Sequence, residues 1–84
     1  MDKRAFYNFR KRMRRKLGRI LFYPENIKIY DETVQLIVEN ENIFKEYLKY
    51  CTDNEQNVLM KLAYYLRDTE KNSVIKTLIE EGME

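Results

Sequence analysis

Between Lys3 and Arg19 the chain carries six arginines and three lysines, and no acid interrupts them. Guanidinium groups in such numbers hold anions, because each planar fork pairs bidentately with phosphate or carboxylate oxygens that lysine meets only as a point charge. Spacing decides whether they act together. Taken at helical steps, Arg4, Lys11 and Arg15 fall on one line, Arg12 and Arg19 lie to one side of it, and Arg14 lies to the other. These six are the candidate contacts for an anionic partner. Other chemistries are poorly provided. There is no histidine, Ser73 is the only serine and Cys51 the only cysteine, so these residues assemble neither a Ser/His/Asp nor a Cys/His nucleophile. Adjacent carboxylates such as Asp31 with Glu32 and Glu80 with Glu81 point apart on a helix. Zinc would lack its usual nitrogen and sulfur ligands. Asp53, Asn54 and Glu55 are consecutive rather than alternating as in a calcium loop, and Gly18 and Gly82 stand alone, so no glycine-rich phosphate loop forms. The residues predict a non-enzymatic protein with no metal and no cofactor.

The cations need a scaffold. Phe6, Phe9, Met13, Leu17 and Ile20 recur at helical steps and make the apolar stripe of a helix over residues 2–21. Twenty residues of helix span about 30 Å. Gly18 weakens it by up to about 1 kcal/mol relative to alanine, and Pro24 ends it by disfavouring helical geometry at Tyr23. The cations are spread along the helix rather than gathered at its C-terminal end, where the macrodipole would use them. Helix stability therefore does not account for them.

Residues 25–38 read in two ways. As a hairpin, Ile27 and Ile29 alternate with polar residues, Asp31 and Glu32 turn the chain, and 34–38 pairs back. As a helix, Asp31 caps the start and Val34, Ile37 and Val38 share a face. The helix is preferred, because a lone hairpin is marginal and no third strand is in prospect. Phe44, Tyr47, Leu48 and Cys51 form the next stripe, over residues 41–51, read either as a separate helix or as the preceding one continued through a kink near Asn40 and Asn42. Asp53 and Asn54 supply a cap for a helix over 55–67 with Val58, Leu59, Leu62, Tyr65 and Leu66 on its apolar face. A turn at 68–72 follows, with Asn72 or Ser73 capping a last helix that bears Val74, Ile75, Leu78 and Ile79 and stops near Gly82. The expected fold is all-α, a small bundle of four to five helices led by a long basic amphipathic N-terminal helix. Cys51 is expected to be buried and inert.

At 84 residues the sequence is expected to form a single helical domain, a basic helix over 1–22 followed by an acidic remainder over 23–84. Its hydrophobic content of 44% excludes a disordered chain despite 36% charged residues. The net charge of +2 conceals an asymmetry, with nine basic side chains against Asp2 in residues 1–23 and seven against thirteen acids in 24–84. A cationic helix of this length fits DNA or RNA phosphates. An acidic groove on a protein partner is the second reading. Neutralisation of the helix by the acidic remainder is the third, and an anionic membrane surface the least favoured. Tyr7, Tyr23, Tyr30 and Tyr50 lie off the main stripes, where tyrosine either stacks on bases or packs at a core edge. The last two helices could mimic a helix-turn-helix, but Glu80, Glu81 and Glu84 make the final one a poor visitor to a groove. One cysteine and the absence of an uninterrupted apolar run favour the cytoplasm over secretion or membrane insertion. Two alanines amid abundant Lys, Asn, Ile and Tyr suggest AT-rich coding sequence, as in low-GC bacteria, their phages and plasmids. The first functional expectation is thus a nucleic-acid-binding regulator, of phage or mobile-element type. The alternative is a protein-binding modulator or inhibitor of a host enzyme that processes nucleic acid.

Overall fold

The structure, a computed structural model, describes residues 2–66 and 70–82, the latter with side chains from Ser73 onward. It is all-helical among the described residues: α1 Lys3–Phe22, α2 Ile27–Glu39, α3 Glu41–Leu48, α4 Asp53–Tyr65 and α5 Glu70–Gly82. Helices α2, α3 and α4 each touch both α1 and α5.

Helix α1 forms where the periodicity puts it. Asp2 caps it by accepting from the backbone N–H of Arg4 at 2.9 Å. Tyr23, held out of helical geometry at φ −132° and ψ 63°, ends it one residue before Pro24. Phe9, Met13, Leu17 and Ile20 are buried and Phe6 is half-buried. Phe9 meets Phe44 and Tyr47 of α3 edge-on, with centroids 6.3 and 5.8 Å apart. This anchors α1 along one side only.

The segment 25–38 is helix and not hairpin, but its cap lies earlier than Asp31. Asn26 accepts from the N–H of Lys28 at 3.1 Å, and Asp31 sits inside α2. Asn40 separates α2 from α3 rather than kinking a single helix. Its backbone leaves helical geometry at φ −136° and ψ 43°, and its side chain donates to the Leu36 carbonyl at 2.9 Å. Helix α3 then stops at Leu48, so Cys51 lies beyond it, half-buried, with Sγ donating to the Leu48 carbonyl. Burial raises its thiol pKa, which disfavours the reactive thiolate.

Helix α4 starts two residues before the expected Glu55 because Thr52, not Asp53 or Asn54, is its cap. Thr52 Oγ1 accepts from the N–H of Glu55 at 3.2 Å, and the Glu55 carboxylate reaches back to Thr52 N. Val58, Leu59, Leu62 and Leu66 are buried as the stripe requires. Tyr65 is half-buried and stacks on Tyr30 of α2, with centroids 4.3 Å apart. Helix α5 begins at Glu70, so Asn72 and Ser73 are helical residues rather than caps. The Arg67 end of the expected 55–67 helix, the start of the turn at 68–69 and Glu84 lie outside the described residues. Ile75 and Ile79 are buried, whereas Val74 is exposed. Gly82 ends α5 against α3, where an added Cβ would come within 2.5 Å of the Leu48 side chain.

Among the described residues Glu55 is the one buried charged side chain, 9% exposed. Its carboxylate accepts from the Tyr47 hydroxyl, from Thr52 Oγ1 at 3.0 Å and from Arg14 Nε at 3.4 Å. Burial pushes its pKa up, but those donors outweigh burial and hold it below the ordinary carboxylate value of 4.5. A depressed carboxylate contributes stability that is complete above its unfolded pKa and is lost as pH falls through the folded one. Glu55→Ala removes this contribution and strands the buried Tyr47 hydroxyl, at a cost of about 2 kcal/mol, or about 10 °C in Tm. The gap between the two melts should be widest at neutral pH and narrow as pH falls below the ordinary carboxylate value of 4.5, keeping the part owed to the stranded Tyr47 hydroxyl. A gap that stays constant into acid would remove the carboxylate from this account.

Candidate nucleic-acid interface

Because α1 packs on α2, α3 and α4 through one stripe, the face opposite that stripe is turned to solvent. Arg4, Lys11, Arg12, Arg15 and Arg19 are all exposed. Arg4, Lys11 and Arg15 make the outer ridge, and Arg12 and Arg19 flank it on the side of α2. None of the five forms an ion pair among the described residues. The two cations that do sit lower, where α1 meets its neighbours. Arg14 turns towards α4 and pairs with Glu55, and Lys16 pairs with Glu32 of α2 at 2.9 Å. The hydrogen bond and charge of Lys16 lower the Glu32 pKa.

Internal neutralisation is therefore partial. Of the nine cations in 1–23, Arg14 and Lys16 meet acids of the fold, and the ridge that points away from the core does not. Arg14 thereby separates from the other five predicted residues: it braces α1 on α4 through a carboxylate 41 positions away, a partner no local pattern reveals. Arg10, outside the predicted set, is half-buried in a cleft with Phe6, Tyr7, Glu46 and Tyr50, and its Nε has no hydrogen-bond partner there.

The tyrosines divide. Tyr30 is buried with its hydroxyl donating to the Pro24 carbonyl at 2.8 Å, so it is a core residue and not a stacking surface. Tyr7 and Tyr23 are 64% and 62% exposed, beside the cationic face rather than under it. Tyr50 is also exposed and meets Phe6 edge-on at 5.9 Å. Sequence reasoning passed over Phe22. It ends α1 on the line of Arg4, Lys11 and Arg15, seven residues beyond Arg15, and is 82% exposed. Its position on the wheel was the available signal. A further aromatic cleft without an assigned role in the sequence reading is lined by Tyr64, Tyr65, Met60 and the cations Lys61 and Lys76.

Among the described residues no group of three His, Cys, Asp or Glu side chains is placed to hold a metal ion. No described helix is long and apolar enough to cross a membrane. Comparison with protein-family models, with characterised proteins and with solved structures found no match.

Proposed function

We propose that this chain is a non-enzymatic, cytoplasmic regulatory protein that binds nucleic acid through the outer ridge of α1. The observation that carries the reading is the ridge with its flanking Arg12 and Arg19: five exposed cations with no ion pair among the described residues, on a helix fixed by its opposite stripe. From Arg4 to Arg19 the row runs about 22 Å along the axis at 1.5 Å per residue, the length of several successive backbone phosphates. Its arginines supply planar forks that match phosphate oxygens. Binding through such a row is governed by phosphate rather than base sequence, so the affinity should be broad and electrostatic.

The test pairs two assays on the intact chain. Anisotropy with labelled random-sequence DNA and RNA at low salt should show saturable binding by the wild type, where electrostatic attraction is strongest. Capture from a host lysate treated with nuclease runs beside it. Absence of binding to either nucleic acid, with a specific protein retained from the treated lysate, would overturn the proposal in favour of a modulator acting on a protein surface.

A further inference from the structure

The C-terminal end of α1 carries a feature the phosphate ridge does not need. Leu21, Phe22, Tyr23 and Ile27 are all more than half exposed, and they follow one another across the end of α1 and the start of α2. Of these, Phe22 and Tyr23 line one cleft together, and adjoining exposed apolar side chains mark a contact site where scattered ones do not. Tyr23 lines one cleft with Arg19, Asn26, Lys28, Ile29 and Glu32, whose carboxylate is paired with Lys16, and another with Phe22, Pro24, Glu25 and Asn26. The two rings thus stand where the cationic ridge ends.

The turn beneath them is tied down. The Tyr23 N–H donates to the Arg19 carbonyl at 2.8 Å, the Asn26 N–H donates to the Tyr23 carbonyl at 3.0 Å, and the buried Tyr30 hydroxyl holds the Pro24 carbonyl. A rigid backbone holds both rings out beside Arg19 and Lys28 without spending order on binding.

We infer that this end of α1 takes an unpaired nucleotide, its base stacked on Phe22 or Tyr23 and its flanking phosphates on Arg15, Arg19 and Lys28. The inference rests on the nucleic-acid reading above and specifies the class of nucleic acid. That occupant fits on three grounds. Exposed rings next to guanidinium groups are the arrangement that holds single strands, since every base has a face to stack and every linkage a charge to pair. In a duplex the base faces are covered by their neighbours, so such rings have work to do only at an end, a bulge or a single strand. A membrane surface would need the long apolar stripe of α1, and that stripe is buried against α2, α3 and α4.

The experiment measures affinity of the intact protein for a short labelled oligo-dT, for an oligo-U and for a hairpin duplex of equal charge closed at both ends by non-nucleotide linkers, so that it offers neither an unpaired base nor an open end. The wild type should prefer the single strands. Phe22→Ala with Tyr23→Ala should weaken single-strand binding at least about fivefold, the lower end of what one lost base stack costs, and change hairpin binding less than about twofold. Phe22→Leu with Tyr23→Leu keeps apolar bulk without a ring and should behave like the alanine pair, whereas Phe22→Tyr with Tyr23→Phe should restore affinity. All six side chains introduced are solvent-facing, so unchanged melts are expected. Equal affinity of the wild type for strand and hairpin, or leucine variants that bind as the wild type does, would overturn the inference and leave the phosphate ridge standing. Failure of the wild type to bind any of the three probes would overturn both.

Discussion

Leu62→Asp should abolish the cooperative melt. Leu62 is fully buried in α4, within a core drawn from all five helices. A carboxylate placed there loses its hydration and gains no partner, and the leucine's own burial is forfeited at the same time. Such substitutions cost several kcal/mol, while a fold of this size holds roughly 4–13 kcal/mol in total at 0.05–0.15 kcal/mol per residue. Circular dichroism should show a broad, low-temperature loss of helix instead of a transition. A melt that matched the wild type would take Leu62, and with it the packing of α4, out of the core.

Charge reversal of the ridge is the functional counterpart. Lys11→Glu, Arg15→Glu and Arg19→Glu together should eliminate detectable nucleic-acid binding at salt where the wild type is half-saturated. Three attractive contacts become three repulsive ones on a face that meets phosphate directly. The same variant should melt within a few degrees of the wild type, because exposed charges that form no ion pair among the described residues contribute little to stability. Unfolding of the triple variant would show instead that these side chains neutralise the acidic part of the fold. Binding that survived reversal would show that the ridge is not the interface.

What the sequence made legible, and what it hid, follows from the range of each interaction. The course of α1 was readable because its stripe repeats over five turns and its limits are local: Asp2 caps it and Pro24 acts on the residue before it. The outward direction of Arg4, Lys11 and Arg15 follows from that stripe alone. The fate of Arg14 and Lys16 does not, since their carboxylates lie on α4 and α2 and only the packing of those helices brings them near. Helix starts were misplaced where several polar residues competed. Thr52 with Glu55 carried the spacing of a capping box and outweighed Asp53 and Asn54, because it satisfies two backbone donors at once. Asn26 displaced Asp31 for a different reason: the Tyr30 hydroxyl fastens the chain at Pro24, so α2 can begin just after it. That bond and the stack on Tyr65 hold Tyr30 in the core, and sequence pattern signals neither partner. Phe22 belonged to the outer line of α1 by its number, yet an exposed phenylalanine is recognised only when the structure shows nothing covering it.

The salt dependence of wild-type binding tests the central claim most directly, because it counts phosphates without altering the protein. Each phosphate neutralised on a duplex contributes about −0.9 to the slope of log K against log salt, and about −0.7 on a single strand. With Arg4, Lys11, Arg12, Arg15 and Arg19 engaged, the slope should lie near −4.5 on duplex and near −3.5 on single strand by the same measure, within about one contact. A slope close to zero, or no binding even at the lowest salt, would contradict the assignment of α1 as a phosphate-binding ridge.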